Sequence, residues 1–216
     1  MPQVFSESSV LMIKLALVSL ALFVVFTVAM FSWRMTASLA PDTGPVQPIP
    51  FSHKHHVGDD GLDCRYCHAS VETSASAGMP STQVCLTCHS VLFTDSPALK
   101  PLQDSAASGL PVPWKRVYDL PDFVFFDHSV HVAKGVACVS CHGQLDQMPQ
   151  VTRHQELQMQ WCLDCHRSPH GRVGPRDQVF AMSPASALSG DDVLRLSKIF
   201  QLESRARLES CTTCHR

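Results

Sequence analysis

All ten cysteines of this chain are used in five copies of one pattern, Cys-x-x-Cys-His, and no other feature constrains the fold as tightly. The copies are CRYCH at 64–68, CLTCH at 85–89, CVSCH at 138–142, CLDCH at 162–166 and CTTCH at 211–215. An even cysteine count alone fits disulfides or zinc. A zinc site, however, needs four ligands and no fixed His after each Cys pair. The spacing instead reads as c-type haem attachment. Cysteines three apart lie on one side of a helical turn and reach one edge of a porphyrin, while the adjacent His falls over the iron. The reading is five covalently bound haem c groups. They are held by Cys64 and Cys67, Cys85 and Cys88, Cys138 and Cys141, Cys162 and Cys165, and Cys211 and Cys214, with His68, His89, His142, His166 and His215 as proximal ligands.

Seven of the twelve histidines lie outside these motifs. An internal repeat accounts for four of them. FSHKHHVGDDGLDCRYCH from Phe51 aligns with FDHSVHVAKGVACVSCH from Phe126, and each copy runs on to a Met-Pro pair and a second motif that begins Cys-Leu. The chain thus contains two two-haem modules with a fifth site outside them. The repeat gives His53 and His56 the same task as His128 and His131. Residues three apart on a helix diverge by about 60°, so each pair suits two different irons better than opposite faces of one. Four distal histidines then serve four irons. His55, matched by Val130, reads as non-ligating. The fifth distal ligand stays open among Met159, His154 and His170, with Met148 and Met182 as weaker candidates. A thioether ligand would raise one potential above those of bis-histidine neighbours.

Leu15 to Trp33 carries no charge and lies between Lys14 and Arg34, a run close to the length that crosses a bilayer. It exceeds the apolar core of a cleaved signal peptide. Residues 1–34 therefore read as a single transmembrane anchor. Haem attachment outside the cytoplasm places the rest on the periplasmic face of the cell membrane, in keeping with Lys14 on the cytoplasmic side. Residues 35–50, rich in Pro and small polar residues, read as a linker. The first module spans 51–94, an inter-module linker 95–121, the second module 122–170, and a C-terminal helix with the fifth haem site 171–216. In the second linker, Trp114, Arg116 and Tyr118 could cover haem edges or meet a partner, although packing explains them as well. Ser189-Gly190-Asp191-Asp192 starts a helix whose apolar stripe is Val193, Leu196, Ile199 or Phe200, and Leu202. The net charge of −2 gives no basis for binding nucleic acid.

The fold expected is mainly α with much irregular structure: a haem-packed multihaem cytochrome c domain on one N-terminal transmembrane helix. With only 7% aromatic residues, the haems replace much of the side-chain core, and the apoprotein should be largely unfolded.

The F-x-H-x-x-H…C-x-x-C-H arrangement resembles class III and cytochrome c7 type multihaem cytochromes. The anchor, the five haem sites, PWKRVYDLPDFVFFDHSVHVAKGVACVSCHG and MQWCLDCHR look like the pentahaem cytochrome c subunit of alternative complex III, a quinol-oxidising respiratory assembly. That resemblance implies an electron conduit working beside an iron–sulfur subunit, integral membrane quinol-binding subunits and a monohaem cytochrome c. It also implies mostly bis-histidine haems with one His/Met haem, supports His53, His56, His128 and His131, and favours Met159 over His154. The chain so read is an electron-transfer subunit without a catalytic site of its own. The alternatives are a multihaem reductase with an open haem, and a small membrane-anchored quinol dehydrogenase feeding a periplasmic reductase.

Overall fold

Nothing between Glu7 and Leu39 breaks a helix: there is neither Pro nor Gly, and the run forms one continuous element, α1 (Glu7–Leu39). The computed structural model describes residues 6–39, 44–183 and 188–215. It divides into two compact units, Met1–Asp42 and Thr43–Arg216. In the first, Glu7–Met35 is long and apolar enough to cross a membrane, and none of it is buried. By length and position this helix could serve as an anchor or as a signal sequence. Its central hydroxyl, Thr27, is satisfied within the helix by donating to the Val24 carbonyl at 2.9 Å.

The second unit is built of short helical turns joined by irregular chain. In order these are a wide π-turn (Lys54–Asp59), α2 (Cys64–Cys67), α3 (Thr82–His89), α4 (Lys100–Ser108), α5 (His128–Ala133), α6 (Val139–His142), α7 (Met159–Arg167), α8 (Gly190–Ile199), α9 (Arg205–Leu208) and α10 (Cys211–Cys214). Among the described residues the only β pairing is a single bridge between Val124 and His215. Helices this short need local stops and starts. Asp63 caps α2 by accepting from the Arg65 amide at 2.8 Å, and Pro101 opens α4 while Gly109, at φ 73°, closes it.

Two small apolar clusters hold the unit together. One is Ile49, Leu102 and Val112 with Cys85, Leu86, Leu99 and Trp114; the other is Val173, Leu196 and Phe200 with Val136, Leu188 and Leu202. The first cluster shows that neither linker is bare chain. Ile49 is core, Gln47 exchanges two hydrogen bonds with the backbone of Lys115, and Leu102 buries one face of α4. The brevity of α4, set between prolines, hides its apolar spacing in the sequence. Residues 40–43 of the first linker lie outside the described residues, as do 1–5 of the anchor and 184–187 and 216 of the C-terminal segment.

Ser189 does cap α8, accepting from the Asp192 amide at 3.2 Å. Of the two residues between which the helical stripe left a choice, Phe200 is buried and Ile199 is 61% exposed. Lys134 closes the far end of the helix, its ammonium donating to the Phe200 carbonyl at 2.6 Å. Gly135 makes that join possible. It sits at φ 78° against the Gly174 carbonyl and the Phe200 ring, a place a Cβ would fill.

Candidate haem-binding site

Each Cys-x-x-Cys-His motif sits on a helical turn that ends at or beside its histidine: α2, the end of α3, α6, the end of α7, and α10. No two of the ten cysteines are joined as a disulfide. No three His, Cys, Asp or Glu side chains converge as zinc would require among the described residues.

Seven of the nine candidate ligand histidines share one feature that matters for ligation. Nδ1 of His68 lies 2.7 Å from the Gly78 carbonyl, that of His89 3.2 Å from Leu92, that of His166 3.0 Å from Leu208, and that of His215 3.2 Å from Phe123. Outside the motifs, Nδ1 of His56 is 2.9 Å from the Ser52 carbonyl, that of His128 2.9 Å from Ala75, and that of His131 2.7 Å from Asp127. A carbonyl only accepts, so in each case the proton belongs on Nδ1 and the lone pair on Nε2 is left for a metal.

The rings are then set in pairs. His128 faces His142 at 6.3 Å between centroids with planes 11° apart, and His131 faces His166 at 6.3 Å and 23°. His56 faces His89 at 6.2 Å and 60°. Two imidazoles on opposite sides of one metal, each bond about 2.0 Å long, bring their centroids to about 6.3 Å. The side chains therefore fit a six-coordinate iron between them. His53 occupies the position in its module that His128 occupies in the other. It is half-buried, and its Nδ1 is buried without a hydrogen-bond partner. Burial, helped first by the neighbouring His68, lowers its pKa to about 4. Burial likewise lowers His142 to about 4, with His128 and His68 adding to it, and lowers His131. All three are thus held neutral, the form a metal ligand requires.

Two residues that the repeat showed only as coincidences orient each pair. Phe51 stacks on His56 (4.4 Å, 20°) and meets His53 edge-on (4.9 Å, 85°); Phe126 stacks on His131 (4.5 Å, 25°) and meets His128 edge-on (4.8 Å, 88°). Ser52 accepts from the His55 amide at 3.1 Å, and Asp127 accepts from the Val130 amide at 3.4 Å, so each module caps its pair at the same place. The single extra residue of the first copy is absorbed by widening the turn, which is a π-turn there and an α-helix in the second copy. Tyr118 also has a definite task. Its ring stands edge-on to His142 at 5.0 Å, and its hydroxyl donates to the Cys141 carbonyl and accepts from the His154 amide.

The fifth site is set differently. His215 stacks on Phe123 at 5.8 Å. Met159 stands at the start of α7 and is 66% exposed. The His154 ring lies over Gly143, and His170 is hydrogen-bonded through Nδ1 to the Ser197 hydroxyl at 2.8 Å. His55 points outward beside Asp59 and Asp60.

Comparison with known proteins places the chain in a family. Over 97 residues, 44% of the chain, the sequence is 43% identical to the menaquinone reductase multiheme cytochrome c subunit of Nitratidesulfovibrio vulgaris (strain Hildenborough), and it spans 45% of that protein's length. A family model described as cytochrome c7 and related cytochrome c matches residues 49–101 and 124–216, which takes in all five motifs and both histidine pairs. The chain therefore belongs to the cytochrome c7 and related cytochrome c family, whose members carry covalently bound c-type haem.

Proposed function

We propose that this chain is a membrane-anchored pentahaem electron conduit of a quinol-oxidising respiratory complex of the alternative complex III type, with its haem domain on the periplasmic side. The observation that carries the conduit reading is the set of facing imidazoles, three pairs at 6.2–6.3 Å, because an iron ligated on both sides passes electrons without binding substrate. His68 with His53, His89 with His56, His142 with His128, and His166 with His131 would hold four irons. His215 with Met159 would hold the fifth. When bound, the haems supply one-electron redox chemistry. The chain's own residues hold the imidazoles neutral and fixed: the carbonyl acceptors set the tautomer, Phe51 and Phe126 set the ring planes, and Ser52 and Asp127 cap the turns.

The partners implied are an iron–sulfur subunit, integral membrane quinol-binding subunits and a monohaem cytochrome c. A second reading has a specific observation behind it. The identity to a menaquinone reductase subunit favours a complex in which the same conduit delivers electrons to a quinone rather than collecting them from a quinol. Purification in mild detergent with identification of co-purifying subunits separates the two assemblies. Carbon monoxide tests the conduit itself. The reduced native protein should bind none, and stoichiometric binding at one haem would turn the reading towards a reductase with an open iron.

A further inference from the structure

The repeat has a structural consequence that the haem assignments alone do not contain. The Lys54 amide donates to the Met148 carbonyl at 3.0 Å, and the Ser129 amide donates to the Ser74 carbonyl at 3.2 Å. Lys54 and Ser129 each follow the first histidine of their module, and Met148 and Ser74 each lie six residues past the histidine of the other module's first motif. The two bonds are thus one contact made twice, in opposite directions. Such reciprocity is the signature of an isologous interface, in which residue i meets j and j meets i. An isologous interface has an axis, and a residue on the axis must meet its own counterpart. Cys64 and Cys138, the first cysteines of the two modules, are neighbours there.

We propose that the two modules associate as an internal isologous pair about a pseudo-twofold axis between Cys64 and Cys138, and that this fixes the order of the haem sites as CLTCH, CRYCH, CVSCH, CLDCH, CTTCH. Cys64 and Cys138 would each hold one edge of an inner haem, so the two inner sites would meet at these neighbouring residues. Within the first module Cys67 neighbours Cys85, and Tyr66 of CRYCH reaches Thr87 of CLTCH, hydroxyl to hydroxyl at 2.7 Å. Within the second, Cys141 neighbours Cys165 and Cys162. Cys162 in turn neighbours Cys214, and the fifth motif is tied to that side by Phe125 N to Cys214 O at 2.7 Å and by His166 Nδ1 to Leu208 O. At the first module's outer helix, α3, the corresponding place is taken by α4, through Thr82 and Ser105. The array therefore has one end at CLTCH and the other at CTTCH, and electrons cross between modules at the Cys64–Cys138 edge. Haems held by Cys64 and Cys67 and by Cys138 and Cys141 would supply one-electron chemistry on the two sides of that edge.

This inference rests on the five-haem reading, and its test is separate from carbon monoxide binding or subunit content. Haem-resolved NMR redox titration of the holoprotein measures how far the reduction of each haem shifts the midpoint of every other. The CRYCH haem should couple most strongly to those at CVSCH and CLTCH, and that at CTTCH only to that at CLDCH. Strongest coupling of the CRYCH haem to the CLDCH or CTTCH haem overturns the order. Gly58 lies against the Asp146 carbonyl across the seam, so Gly58→Val should wedge the modules apart. It should weaken the CRYCH–CVSCH coupling, since a through-space interaction falls inversely with separation, and leave CLDCH–CTTCH coupling unchanged. An unchanged CRYCH–CVSCH coupling in a five-haem Gly58→Val protein contradicts the seam. If that variant loses haem, the coupling map of the parent decides.

Discussion

The two copies of the repeat differ most where their shared sequence pattern stops. Both set a phenylalanine flat on the second histidine and edge-on to the first, with ring separations that agree within 0.1 Å (4.4 and 4.5 Å; 4.9 and 4.8 Å). Both cap the pair from the residue before it. Yet His128 is anchored across the seam, its amide and its Nδ1 both on Ala75, whereas Nδ1 of His53 has no partner. Ligand-setting contacts are local and so were copied with the repeat. Contacts to the rest of the molecule had to diverge, because one module leads to α4 and the other to a fifth site.

Removing the second histidine of either pair should have the largest effect and the same effect in both modules. His56→Ala and His131→Ala should each open one iron, retain five covalent haems by mass, and bind one equivalent of carbon monoxide. A variant that loses two low-spin irons, or none, breaks the equivalence. Removing the first histidine should separate the modules. His128→Ala also removes an anchor on Ala75, so it should destabilise the unit by up to about 1 kcal/mol more than His53→Ala, the net worth of one hydrogen bond. Thermal unfolding followed in the Soret band measures the difference.

Loss of the clamping ring comes next. Phe51→Leu and Phe126→Leu should each cost roughly 1 kcal/mol through the lost ring–ring contact, and should change the EPR anisotropy of one iron by freeing its imidazole plane. The smallest effect is expected at the caps, and there the modules should part. The Ser129 hydroxyl, followed by the Val130 and Ser129 amides, holds the Asp127 carboxylate below its ordinary 3.8. A carboxylate with a depressed pKa contributes stability above its unfolded value, and that contribution is lost as the pH falls through the lower folded one. Ser52 does not titrate. Acid titration below about pH 4 should therefore loosen the CVSCH and CLDCH haems before those of the first module, and Asp127→Ser should abolish the order.

Much of the site could be read in the sequence because it is written in short spacings. The motifs, the Phe-x-His-x-x-His repeat and the Ser189 start of α8 all depend on residues within a turn or two of one another. Which motif histidine each of the other histidines faces does not. His128 stands opposite His142 of its own nearest motif while His131 reaches His166, and only the folded path between CVSCH and CLDCH decides that. The π-turn at Lys54–Asp59, the part played by Tyr118 and the place of α4 were hidden for the same reason: each depends on a partner tens of residues away. Side chains alone bury little, as the two small clusters show, so the pattern of apolar residues carried less of the fold than the spacing of histidines did.

Near-infrared magnetic circular dichroism of the oxidised holoprotein, quantified against haem content, tests the account most directly, because it separates bis-histidine from histidine–methionine iron. Four bis-histidine irons and one histidine–methionine iron are predicted, the latter becoming high-spin in Met159→Ala. Fewer than four bis-histidine irons, or a high-spin iron in the unmodified protein, would contradict the paired-histidine conduit.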